Sequence, residues 1–143
     1  MELITDEQVK VIYNEQSGIL YITMPVYNPT IMQKFEEPFT FLIDRISQLK
    51  ITKLLLNTSQ IISRPSSAEY KNLLGFFYSG LEHSGLKKLA RIQRDNPGYE
   101  NTYGKLSQQL REEMGLTFEF RNFNNQEEAE QWLLAENFAF QDI

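Results

Sequence analysis

Three consecutive leucines, Leu54-Leu55-Leu56, stand between two stretches of helical periodicity. Successive residues of a strand point to opposite faces, so an unbroken apolar run suits a strand covered on both sides, as in the middle of a parallel sheet. Upstream, Ile31, Phe35, Phe39, Leu42, Ile46 and Leu49 recur at spacings of three and four, which is one buried helix face. Asn28-Pro29 opens that helix as cap and first turn, and Pro38 within it predicts a kink, a hinge or two short helices. Downstream, Pro65-Ser66-Ser67-Ala68-Glu69 starts a second helix. Ser66 and Glu69 have the spacing of a capping box, and the helix runs to about His83 and stops near Gly85.

The remaining elements follow the same logic. Val9, Val11 and Tyr13 alternate with their neighbours over residues 8–15, and Glu15-Gln16-Ser17-Gly18 turns the chain into a second strand at 19–24, an antiparallel hairpin. Residues 87–93 read as a fourth strand. Tyr99, Tyr103, Leu106, Leu110 and Met114 mark a third helix ended by Gly115. Phe118 and Phe120 alternate with charged residues in an edge-like fifth strand, and Asn124 or Asn125 caps a last helix containing Ala129, Trp132 and Leu133. The order is β-β-α-β-α-β-α-β-α. The expectation is one α/β domain over 1–143, with a mixed, mostly parallel five-stranded sheet and about four helices. Phe138 and Phe140 alternate with polar residues, so 137–143 reads either as a flexible tail or as an edge-pairing strand.

Composition removes several classes of function. The net charge of −5 gives no electrostatic footprint for nucleic acid. The chain has no cysteine, hence no disulfide, thiolate metal site or cysteine nucleophile. Its one histidine, His83, lies near a helix end, away from any carboxylate pair, and reads as a surface or capping residue; no metal or cofactor is expected. Glu36-Glu37, Glu112-Glu113 and Glu127-Glu128 are helical neighbours that diverge and cannot jointly flank one bond. No phosphate-cradling glycine loop or nucleophile elbow is present, so an enzyme is not expected. The start of the chain lacks the pattern of a signal peptide, and no apolar run approaches a bilayer span, which gives a cytoplasmic reading with peripheral membrane contact left open.

The stretch from Phe118 to Leu133, with a strand ending on Phe123, the turn Asn124-Asn125 and the helix Glu128-Ala129-Glu130-Gln131-Trp132-Leu133, resembles the ending of SpoIIAA-like proteins, a branch of the STAS superfamily. The element order over 8–136 also fits. The resemblance implies a regulatory module carrying a phosphorylatable serine at the start of the helix after the third strand. Asn57-Thr58-Ser59 stands where that family has Asp-x-Ser, and Arg64-Pro65-Ser66-Ser67-Ala68 stands where it has the serine loop, without the acidic residues or the glycine. The resemblance further implies a nonpolar-ligand or membrane-peripheral role, in the manner of the similar SEC14-type fold.

Three candidate sites result. In open α/β sheets ligands bind beyond the carboxyl ends of the strands. That edge holds Asn57, Ser59, Arg64, Ser66 and Ser67, a phosphoacceptor or partner loop whose serines otherwise simply cap a helix. Lys87, Lys88, Arg91 and Arg94 form a basic run in which Arg91 and Arg94 are candidate anion contacts, or else solvate one side of a strand. Phe76-Phe77-Tyr78, with Leu73, spreads apolar side chains over a wide helical arc; it reads as a ligand wall, a dimer patch, a membrane-facing patch or a helix packed on two sides. The two expected functions are a non-catalytic, protein-binding regulatory module and an apolar small-molecule or lipid binder. The partner is an unidentified protein or an apolar molecule, and homodimerisation is compatible with both.

Overall fold

The computed structural model describes residues 2–5, 10–23, 36–60 and 66–135. Asn28-Pro29, Ile31, Phe35, Arg64, Pro65 and the tail 137–143 lie outside them. The strands are β1 (Glu2–Thr5), β2 (Lys10–Asn14), β3 (Ile19–Thr23), β4 (Lys53–Asn57), β5 (Lys88–Ile92) and β6 (Glu119–Phe123). Helix α1 (Glu36–Gln48) precedes β4 and α2 (Ser67–Ser84) follows it. After β5 comes one continuous helical stretch: α3 (Pro97–Tyr99), a π turn (Glu100–Gly104) and α4 (Lys105–Met114). Helix α5 (Gln126–Leu134) follows β6.

The five expected strands and their connecting helices are present, and the sheet has one strand more, β1, antiparallel to β2. Strands lie side by side in chain order; β2 and β3 form the antiparallel hairpin, and β3 to β6 run parallel. This sequential order fixes where the helices go. A right-handed crossover that always adds its strand in the same direction must always pass over the same face. Side chains from α1, α2 and α4 accordingly share one core with Val11, Leu20, Ile22, Leu54, Leu56 and Leu89. The opposite face, with Ile19, Leu55, Ala90 and Ile92, is covered by Ala129 and Leu133 of α5. Leu54 and Leu56 thus bury on one side and Leu55 on the other, the arrangement read from the three leucines.

Local chemistry sets the element ends. Ser66 Oγ accepts the Glu69 N–H at 3.2 Å, the first half of the expected capping box; the Glu69 carboxylate reaches back to the Ser66 hydroxyl at 3.0 Å in place of its backbone N–H. Gly85 (φ 89°) ends α2 and Gly115 (φ 61°) ends α4 in the left-handed region. Asn125 caps α5 by accepting the Glu128 N–H at 2.9 Å. Pro38 falls in the first turn of α1, where its missing N–H removes no helical bond.

Candidate functional site

The period-two alternation of β5 decides the site. Lys88, Ala90 and Ile92 face α5, so Leu89 and Arg91 face the three crossover helices. The basic run is therefore divided. Lys88 Nζ lies 5.0 Å from the centre of the Trp132 ring and donates to the carbonyls of Trp132 (3.2 Å) and Ala135 (2.9 Å), closing the end of α5. Lys87 is exposed. Arg91 is buried at 6% exposure, in the row Ile22, Leu56, Arg91, Asn122 that crosses the sheet at its carboxyl end.

A buried guanidinium needs a partner. Glu100 supplies it, with Arg91 Nη1 donating to Oε1 at 2.7 Å and Nη2 to Oε2 at 2.9 Å. Asn122 Oδ1 accepts from Nη1 at 3.2 Å, and the Arg94 backbone N–H donates to Glu100 Oε2 at 3.1 Å. Burial works against the Arg91 charge, but the Glu100 carboxylate outweighs it and holds the pKa above its ordinary value. Glu100 begins the π turn, and a Cβ at Gly104 would stand in ordinary contact with its Oε1, at 3.4 Å. The wider turn, a feature frequent at functional sites, carries Tyr103 to an edge-on contact with Tyr70 (4.8 Å) and against Tyr99 (4.6 Å).

Above this pair lies a cavity of about 80 Å³. Leu56, Thr58 and Arg91 of the sheet floor it, Tyr70, Leu73, Leu74, Phe77 and Tyr78 of α2 wall it, and Phe39 and Tyr99 close it. Burial pushes the phenols of Tyr70, Tyr78 and Tyr99 up from their ordinary pKa. Tyr78 Oη and Ser107 Oγ share a hydrogen bond of 2.7 Å, and Thr58 Oγ1 donates to the Ile92 carbonyl at 2.8 Å, which ties the loop after β4 to β5. Arg91, Thr58 and Tyr78 spend their polar groups on Glu100, the Ile92 carbonyl and Ser107, outside the lining, and the open space is faced mainly by rings and leucines. Its chemistry is that of a small apolar receptor with two or three polar orienting groups.

Several residues singled out from sequence converge here: Leu73, Phe77, Tyr78 and Arg91 line one cavity, and Arg94 lies over the Tyr99 ring at 5.1 Å. Phe76 does not join them; it is 41% exposed on the outer side of α2. Ser66 and Ser67 are exposed at the start of α2, one turn before Tyr70, whose N–H donates to the Ser66 carbonyl at 2.9 Å. Asn57 Oδ1 accepts from both the N–H (3.0 Å) and the Oγ (2.6 Å) of Ser59, a local turn at the mouth of β4. Tyr70, Tyr99 and Glu100 were not among the sequence candidates. The alternation Leu89/Arg91 was the available signal, since it puts a charge on a covered face and so demands a partner.

A second, more open cleft of about 370 Å³ lies between α4 and β6, lined by Gln108, Arg111, Glu112, Gly115, Leu116, Phe118 and Phe120. The Arg111 guanidinium stacks 3.4 Å from the centre of the Phe120 ring, and its Nη1 is buried without a hydrogen-bond partner among the described residues. His83 is exposed, its Nδ1 2.7 Å from the Ser79 carbonyl. Among the described residues there is no cluster of metal-ligating side chains, and no helix is long and apolar enough to cross a membrane. No family model matches the chain, and no match was found among curated proteins or among solved structures. The mixed α/β sheet topology is consistent with STAS-like folds.

Proposed function

We propose that this chain is a non-catalytic regulatory module, of the SpoIIAA-like STAS kind, that binds a protein partner at the carboxyl edge of its sheet. One observation carries the reading: the aromatic cavity over Arg91 begins one helical turn from the exposed Ser66-Ser67. The cavity, at about 80 Å³, is well below the roughly 300 Å³ of a pocket for a drug-sized ligand. It suits the tip of one apolar side chain, the kind of anchor on which protein interfaces concentrate their energy. A phosphate on either serine would place close to two negative charges at the start of α2, beside that anchor.

The test is retention of a partner on the immobilised chain. Retention on wild type, with loss on both Leu73→Trp, which fills the cavity, and Ser67→Asp, is the expected result. A partner retained equally by all three sinks this reading. The apolar lining favours a second reading, a receptor for a small apolar molecule or the end of a lipid chain. Native mass spectrometry of untagged protein, purified without detergent, separates the two. An added mass that Leu73→Trp abolishes belongs to the second reading, and a bare mass to the first.

A further inference from the structure

We infer that β6 is a self-complementary edge through which two copies of this chain join their sheets, antiparallel, about a twofold axis at Phe120. The inference stands apart from the partner-binding reading, since β6 ends the sheet and the serines lie at the start of α2. Among the described residues β6 is the last strand in the order, with β5 on one side only. Its hydrogen bonds to β5 identify which backbone groups remain. The Glu119 N–H donates to the Lys87 carbonyl and the Phe123 carbonyl accepts from the Gln93 N–H. In a parallel pair a residue turns both its N–H and its C=O to the same side, so Glu119, Arg121 and Phe123 spend theirs on β5. Phe120 and Asn122 turn theirs outward.

That phase selects a register. With the axis at Phe120, the two Phe120 residues exchange both backbone bonds, and each Phe118 pairs with the other copy's Asn122. Glu119 of each copy then faces Arg121 of the other. Those are non-hydrogen-bonded positions, where opposed residues come closest, about 4.5 Å between Cα atoms. Two complementary ion pairs form at once. An axis at Arg121 sets like charges against each other, and one at Asn122 sets Arg121 opposite Phe123. Glu119 and Arg121 are both exposed, and neither forms an ion pair among the described residues. The charges of β6 match a second copy in one register and oppose it in another, which is how edge strands choose their neighbours. The cleft between α4 and β6 leaves room on the helix-covered face for the opposed Phe120 rings.

Light scattering and native mass spectrometry on the full chain, across a concentration series, test this. Wild type is expected to dimerise. Glu119→Arg makes the strand doubly basic and Arg121→Glu makes it doubly acidic. Each variant alone should dimerise about tenfold more weakly or worse, because two attractive pairs become two repulsive ones. Mixed in equal amounts the two variants should form a heterodimer, and the double variant carrying both changes should dimerise like wild type. Circular dichroism on each variant establishes that it is folded. A wild type that stays monomeric, a dimer indifferent to either reversal, or variants that fail to pair when mixed each overturns the proposal.

Discussion

Arg91 and Glu100, nine residues apart, meet fork to fork beneath the cavity, with both nitrogen-to-oxygen contacts under 3 Å. One comes from a strand and the other from the π turn that follows it, so the pair fixes the turn's position over the sheet. Both side chains are withdrawn from water, at 7% and 16% exposure. In such a pair each charge exists to neutralise the other. Glu100→Ala, which leaves the guanidinium buried alone, is expected to cost about 3–5 kcal/mol in urea unfolding. Arg91→Met combined with Glu100→Met should cost much less than the two single changes added together. A double-mutant cycle without coupling would show that the pair is not interacting in solution.

Two glycines in α2 are expected to respond in opposite directions to alanine. A Cβ at Gly75 meets nothing within 4 Å, so Gly75→Ala should stabilise by about 0.5–1 kcal/mol through helix propensity. A Cβ at Gly80 would fall 2.0 Å from Ile43 Cδ1 and 3.0 Å from its Cγ1, where α1 and α2 touch. Gly80→Ala should therefore destabilise, by about 1–3 kcal/mol. Ile43→Val in the same chain should recover part of the loss. Thermal melts of the four proteins check both.

Alkaline pH should weaken the fold. Burial, reinforced by a hydrogen bond to Glu130, raises the Tyr21 phenol to about 12. Burial also raises Tyr70, Tyr78 and Tyr99. A phenol with a folded pKa above its unfolded value stabilises fully below the unfolded value, near 10.0, and that contribution is lost as pH rises through the folded pKa. The urea midpoint should hold up to about pH 10 and fall beyond it. Tyr21→Phe should flatten the fall. A midpoint independent of pH through this range would refute the assignment.

Acid should act at another point. Glu82 accepts hydrogen bonds from the Thr117 N–H and hydroxyl, tying α2 to the segment that leads into β6. Those bonds hold its carboxyl below the ordinary range. The lowered pKa means that its contribution is present above the usual carboxylate pKa and fades as pH falls through the folded value. Glu82→Gln should reduce the acid dependence of the melt.

The helix cap separates two roles of one serine. Ser66→Ala should lower stability by about 1 kcal/mol, the usual cost of a lost N-cap. Ser66→Asp should leave it nearly unchanged, since aspartate caps as well as serine. A binding defect in Ser66→Asp is then a charge effect and not a folding defect.

The order of elements along the chain, helix positions and much of the core were legible because they are repeated signals. The alternation in Lys10–Asn14, the triple leucine and the spacing of Phe39, Leu42 and Ile46 each occur within one element. β1 was not legible. It is four residues long, and what holds it is pairing with Lys10, Val11 and Ile12. The π turn was hidden because Tyr99, Tyr103, Leu106 and Leu110 also satisfy an ordinary helical period. The site was half legible. The aromatic run in α2 and Arg91 stood out by composition, whereas Glu100 becomes their neighbour only when the chain crosses from β5 to the next helix.

The unequal division of helices between the two faces has a consequence for synthesis. The crossover helices cover one side of the sheet as it grows, but Leu55, Ala90 and Ile92 wait for Ala129 and Leu133, which follow every described strand. While the chain emerges from the ribosome, the patch that α5 covers stays wet and adhesive until that helix arrives. A chain stopped ahead of Gln126 would hold the six described strands and still leave Leu55, Ala90 and Ile92 without the cover that α5 gives them, which makes it a substrate for chaperones and aggregation.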